Sequence, residues 1–369
     1  MMTTSAPSIA SVLDRIRPAV RGQHAYLVGL EDHIEIKLNQ NENPYDWPRE
    51  LKEALTRRLI EIPWNRYPND QPFLFQQALA AYLGLTPAHI LVGNGSNEMM
   101  LTVGAVMIQP GTKVILAAPL FSLYDKIVRI HDGEVIAVPM NEDLSYNIPA
   151  LLEAIHTHQP VLTVVGAPNN PTGGTIEKAD LFRILDAAEG FVLVDEAYVD
   201  FTDDGRGMQD ALDDYPNLLI IRTFSKSFAL AGLRLGYLLA HPAVAAEILK
   251  YRSPFMIDFW TEQVGIVALE HLDWMREKVA ELREGTQMLY QALQAIEGVE
   301  QVLPTTANFT LFRTRYTGAE IIKRMSAHNI LLRNMSGYTE LKDFIRVNCG
   351  TPEENQTFLA ALKNVLSER

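Results

Sequence analysis

Residues 219–237 read LIIRTFSKSFALAGLRLGY, and the rest of the chain falls into place around them. Leu218, Leu219, Ile220 and Ile221 have the character of a buried strand, which delivers Arg222, Thr223, Phe224, Ser225 and Lys226 at its end. Burial disfavours an ammonium and lowers its pKa, so a lysine placed there offers a free amine for Schiff-base chemistry. Thr223, Ser225 and Arg234 add hydroxyls and a guanidinium, a set that suits phosphate oxygens. An amine that captures an aldehyde, beside a socket that takes a phosphate, fits pyridoxal 5′-phosphate. S-K-S alone fits a solvated turn equally well, so the other strand ends must decide.

At 369 residues the chain exceeds the size of a single hydrophobic core, which predicts one large and one smaller domain. A formal net charge of -13 argues against general nucleic-acid affinity and leaves any anionic ligand to local arginines. The lone Cys349 excludes an internal disulfide framework, and no CxxC or HxxxH pattern suggests a metal. The first residues lack a long apolar segment of the secretory kind, and no apolar run approaches membrane-spanning length. The chain reads as cytoplasmic.

Residues 8–20 read as a short amphipathic helix broken at Pro18, and KLNQNENPY (37–45) as a loop leaving a short strand. A helix over 49–62 and the loop NRYPND (65–70) follow. From Gln71 onward helix and strand alternate, with helices expected over 72–83, 149–157 and 177–188 and strands over 89–93, 114–117, 134–138, 161–166 and 191–196. Two further helices are expected to start at Gly93–Asn97 and at Phe121. This alternation predicts an α/β fold, a mostly parallel sheet covered by helices on both faces, with functional loops at the carboxyl ends of the strands. After Tyr251 helical periodicity covers 260–297, and short strands (308–313, 330–333, 343–348) then alternate with helices (317–327, 352–366). The expected division is a large domain over 36–255 and a smaller α+β domain built from 1–35 and 256–369.

Ser96, Phe121, Asn170, Asp195 and Lys226 all fall at predicted strand ends. The Gly-rich turn before Ser96 opens a helix, whose free N–H groups and dipole favour an anion. Asp195 closes the apolar run VLVD, where a carboxylate suits a protonated pyridine nitrogen and makes the ring an electron sink. Tyr198 and Asn170 could hydrogen-bond a ring oxygen, and Phe121 could stack on a flat ring. Arg346, in DFIRVN, and Arg333, in ILLRN, are arginines in β-patterned segments, and the pattern leaves the direction of Arg346 open. A buried guanidinium fork suits a carboxylate or a phosphate.

This ordered set resembles the fold-type I pyridoxal-phosphate aminotransferases of the aspartate aminotransferase superfamily. KLNQNENPY, NRYPND, NNPTG, VDEAY and RTFSKSFALAGLRLGY are most similar to those of the histidinol-phosphate aminotransferases. The resemblance spans nearly the whole chain and implies a seven-stranded-type sheet and a smaller α+β domain. It implies that Lys226 binds the cofactor aldehyde and moves the substrate proton, that Asp195 holds the ring nitrogen, and that Asn170 and Tyr198 hold the ring oxygen. Phe121 would stack on the ring. Ser96, Asn97, Thr223, Ser225 and Arg234 would hold the cofactor phosphate, with Tyr67 reaching it from the other subunit of a homodimer. Arg346, helped by Tyr26 and Arg333, would receive the substrate's carboxylate or phosphate. Phe121 stands where many relatives carry tyrosine, and Asn97 where aspartate is common. The reaction implied is transamination of L-histidinol phosphate with 2-oxoglutarate. The rival readings are an aromatic or broad-specificity aminotransferase, a threonine-phosphate decarboxylase, and a non-catalytic effector-binding domain.

Overall fold

Apolar runs set the frame of the structure, a computed structural model that describes residues 8–25 and 35–368. The strands in chain order are β1 (Ile36–Lys37), β2 (Ile90–Gly93), β3 (Lys113–Ala118), β4 (Glu134–Pro139), β5 (Leu162–Gly166), β6 (Phe191–Asp195), β7 (Leu218–Thr223) and β8 (Gly236–Ala240). They continue with β9 (Val299–Val302), β10 (Phe309–Thr314), β11 (Ile330–Leu331), β12 (Arg333–Asn334) and β13 (Phe344–Asn348).

A seven-stranded sheet runs in the order β2-β8-β7-β6-β5-β3-β4. The neighbours β4, β3, β5, β6 and β7 are parallel. Every residue of β5, β7 and β8 is buried, as expected of strands covered by helices on both faces. Alternation along β7 shows the two faces directly: Leu218 and Ile220 enter one core, Leu219 and Ile221 the other. β8 was not foreseen. The segment GYLLA returns straight after the Lys226 loop and runs antiparallel to both β7 and β2, so the sheet is mixed rather than wholly parallel.

The second sheet is four-stranded and antiparallel, in the order β12-β13-β10-β9. The single strand expected over 330–333 is in fact two. Ile330 and Leu331 pair with β1, whereas Arg333 and Asn334 pair with β13. The helix expected over 260–297 is also two, Phe259–Glu270 and Leu272–Gln294, parted at His271 where the backbone leaves helical geometry (φ -124, ψ 42). The segment over 8–20 divides similarly into Ile9–Leu13 and Pro18–Arg21. Pro18 opens the second piece, where its missing N–H costs nothing.

A strap from Leu38 to Asn43 lies between the two sheets. Leu38 N donates to Leu331 O at 2.9 Å, Asn348 N to Leu38 O at 3.1 Å, and Asn41 N to Asn348 Oδ1 at 3.0 Å. On its far side Asn43 Nδ2 donates to Ser227 O at 3.3 Å, one residue past Lys226.

Candidate active site

The carboxyl ends of the parallel strands open into a cavity of about 650 Å³, walled opposite by the strap and by β12 and β13. Three of its lining groups come from consecutive strand ends: Asn170 after β5, Asp195 closing β6, and Lys226 after β7. Tyr198 and Phe121 line it as well.

Asp195 is buried, and two donors fix its carboxylate. Ala197 N donates to Oδ1 at 3.1 Å and the Tyr124 hydroxyl to Oδ2 at 2.9 Å. Burial nevertheless dominates and pushes its pKa up to about 6. The phenol of Tyr124 is raised in turn, by its own burial first and then by the Asp195 charge. Lys226 Nζ donates to Gln40 O of the strap at 2.9 Å. Burial, and then the positive charge of Arg346, lower its pKa to about 8, so the neutral amine is a minor form near physiological pH but far more populated than in an ordinary lysine.

At one end of the cavity a polar cup gathers Ser96, Asn97, Thr223, Ser225 and Arg234. Ser96 and Asn97 begin the helix Ser96–Met107, whose first N–H groups and dipole point outward. Ser225 N donates to Thr223 Oγ1 at 3.1 Å, which locks the two hydroxyls side by side. Arg234 sits in the left-handed region (φ 52) and donates to Ala231 O at 2.9 Å. Gly95, at φ +78, lets that guanidinium approach, since a Cβ would lie 2.3 Å from Arg234 Nη2.

Two further arginines line the cavity. Arg346, whose direction the sequence left open, enters the cavity while its neighbours Ile345 and Val347 pack in the core. Its Nη1 donates to Asn170 Oδ1 at 2.6 Å and its Nη2 to Asn39 O at 3.0 Å, with the Phe309 ring 5.2 Å below. Arg333 is its register partner across β12 and β13 and lines the same cavity.

Two of the expected residues are not placed in this cavity. Tyr26 lies outside the described residues. Tyr67 is 81% exposed and stacks on Phe255 with ring centroids 4.8 Å apart. Sequence reasoning missed several others. Tyr124 and Tyr338 (whose hydroxyl accepts from Ser122 N at 3.2 Å) gave no motif, and Asn41, within KLNQNENPY, was given no role although its Nδ2 donates to the Tyr198 hydroxyl at 2.9 Å. Arg222 was carried past without a role; it is buried against Glu196, with Nε to Oε2 at 2.8 Å, directly beside Asp195.

This donor set meets pyridoxal 5′-phosphate group for group: a lowered-pKa amine for the aldehyde, a fixed carboxylate for the ring nitrogen, and a glycine-relieved cup for the phosphate. Fold and site thus define a pyridoxal-phosphate-dependent transaminase. The chain belongs to the family described as aminotransferase class I and II, whose model matches residues 33–362. It is 37% identical over 348 residues to the histidinol-phosphate aminotransferase of Pelodictyon phaeoclathratiforme, covering 94% of this chain and 97% of that one. The structure resembles the histidinol-phosphate aminotransferase of Sinorhizobium meliloti solved with pyridoxal-5'-phosphate (TM-score 0.86, 24% identity, 95% and 97% of the two chains). It also resembles the L-threonine-O-3-phosphate decarboxylase of Porphyromonas gingivalis (TM-score 0.79, 24% identity, 90% and 100%). At such identities these two likenesses speak for the fold alone. Among the described residues no helix is long and apolar enough to cross a membrane.

Proposed function

We propose that this chain transaminates L-histidinol phosphate with 2-oxoglutarate, giving imidazole-acetol phosphate and glutamate in histidine biosynthesis. The observation that carries the reading is the pairing of Arg333 with Arg346, both lining the cavity. Like charges directly opposite on neighbouring strands destabilise a sheet, so a pair that faces a cavity is placed for an anion between them. A phosphate dianion satisfies two guanidiniums better than a single carboxylate does.

In this reading Asp195 holds the cofactor's ring nitrogen, Asn170 and Tyr198 its ring oxygen, and Phe121 packs on its face. Ser96, Asn97, Thr223, Ser225 and Arg234 hold its phosphate. When bound, the cofactor stores the amino group and draws electrons from the substrate's Cα into its ring. Lys226 Nζ, neutral in part because of its burial, takes the proton from the substrate Cα and returns it on the far side of the transferred nitrogen. Arg346 orients the substrate through its anionic group, and its bond to Asn170 ties that recognition to the ring's position.

The proposal includes a homodimer. Exposed Tyr67 stacks on Phe255, itself partly exposed, an aromatic pair suited to burial against a second copy. From there Tyr67 would reach the phosphate in the partner's cavity. The proposal also includes the division into a domain over 36–255 and one over 1–35 with 256–369, help from Tyr26 on the substrate side, and a cytoplasmic location.

The test is a single half-reaction followed by cofactor absorbance, without any keto acid. Histidinol phosphate is expected to convert the cofactor to its amino form faster than phenylalanine does. Equal or faster conversion by phenylalanine would hand the function to the broad aromatic reading. Carbon dioxide release from threonine phosphate would hand it to the decarboxylase reading.

A further inference from the structure

The turn between β2 and the helix Ser96–Met107 is held between two guanidiniums. Arg234 faces the cavity. The other, Arg252, lies on the opposite side of the turn and does not line the cavity at all. Its side chain is only 2% exposed. Nη1 donates to Val92 O at 2.6 Å, at the end of β2, and Nη2 pairs with Glu98 Oε2 at 3.0 Å, in the helix's first turn.

Glu98 extends the brace. Its Oε2 also accepts from Asn94 N at 3.3 Å, and its Oε1 accepts from the Thr102 hydroxyl at 2.8 Å. The carboxylate lies so close over the turn that a Cβ on Gly93 would come within 2.2 Å of Oε2. Strand end, turn and helix start are therefore tied together by one ion pair, and Ser96 and Asn97 sit between its anchor points.

We propose that Arg252 is a positioning residue for the cofactor phosphate, acting through Glu98 without touching the ligand. This rests on the pyridoxal-phosphate reading of the cavity. Two effects combine. The pair fixes the turn that presents Ser96, Asn97 and the helix N-terminus. It also neutralises a carboxylate in the first turn of the same helix whose N-terminus would receive the phosphate. A carboxylate in the first turn is favourable to the helix dipole by itself, but it competes with a second anion for the same positive end. Arg252 lets the protein keep the brace without that repulsion. Removing one partner of a buried pair leaves the other charge uncompensated, so the two substitutions are not equivalent.

The experiment uses full-length protein freed of cofactor and titrated separately with pyridoxal 5′-phosphate and with pyridoxal, binding being read from absorbance and fluorescence. Pyridoxal reports the Lys226 end of the cavity without the phosphate. Arg252→Met is expected to weaken pyridoxal 5′-phosphate about tenfold or more while leaving pyridoxal nearly unchanged. Glu98→Gln alone is expected to cost a few-fold at most, and added to Arg252→Met it is expected to recover most of the lost affinity. Arg252→Lys is expected to fall between wild type and Arg252→Met, because it keeps the charge and loses the fork. Should Arg252→Met fail to fold, Arg252→Lys carries the same comparison, its selective loss of pyridoxal 5′-phosphate over pyridoxal being the readout. Equal weakening of both probes would reduce Arg252 to a structural brace and overturn the proposal, as would a double variant no better than Arg252→Met. Wild-type protein that binds neither probe would remove the cofactor reading itself, an outcome distinct from either.

Discussion

The two walls of the cavity are built on opposite principles. The floor comes from consecutive strand ends of one sheet, with Asn170, Asp195 and Lys226 carried on β5, β6 and β7, which are neighbours in that order. Two of its anchors are local: Ala197 N holds Asp195, and Thr223 holds Ser225. The facing wall is assembled from distant parts. Arg346 reaches the strap at Asn39 across 307 positions of sequence, and β1 pairs with β11. A rigid single sheet suits groups that must meet one cofactor in one geometry. A wall made of several segments suits the part that decides which substrate is admitted, because any of its pieces can change without disturbing the floor.

If this contrast is sound, substitutions in the floor lower turnover and those in the wall raise the substrate requirement. The largest effect belongs to Lys226→Ala, for which single-turnover kinetics is expected to show a loss of about 10⁴-fold or more in proton transfer. Normal turnover in that variant would break the comparison at its base. Next comes Arg333→Met, expected to raise KM for histidinol phosphate by roughly 10- to 100-fold, with kcat falling far less. An equal loss in kcat would put Arg333 with the floor. The smallest effect is expected from Tyr124→Phe. Burial pushes the Asp195 carboxyl up to about 6, and the phenol's hydrogen bond favours its charged form. Removing that bond shifts the titration upward, visible by carboxylate NMR, and is expected to slow turnover a few-fold to about tenfold. An unchanged or lowered carboxylate pKa would mean that burial alone sets it.

The same contrast explains what could be read from the amino acids. A floor residue is a landmark, because an apolar run ends at it; β6 ends in Asp195, and β7 leads to Lys226 within three residues. The wall had no such marker. Arg346 alternates with Ile345 and Val347 in a strand that is buried throughout, so periodicity could not say which side held the cavity. Asn41 sits among alternating asparagines, and its partner Asn348 is unknowable without the fold. Tyr124 lies within the helix Leu123–Ile130, and its hydroxyl meets a carboxylate 71 residues on. β8 was missed because a short apolar run directly after a functional loop looks like the loop's own packing. The segment 330–333 looked like one strand because nothing in LLRN announces that the chain changes sheets at Leu332. The roles given to Tyr26 and Tyr67 came from family resemblance rather than from the residues.

The strap has a consequence for the order in which the protein can be made. Its contacts to β11, Asn308 and Asn348 join it to segments synthesised about 270 to 310 residues later. A nascent chain that has emerged as far as β8 already holds the strands bearing Asp195 and Lys226. It still lacks Asn308 and Asn348, so only the contacts to Tyr198 and Ser227 hold the strap, and with it the Gln40 carbonyl, over Lys226. Contacts of such sequence separation form late and are vulnerable while they wait. The half-made protein therefore holds the Lys226 amine before its cavity has a complete front, which the later segments supply.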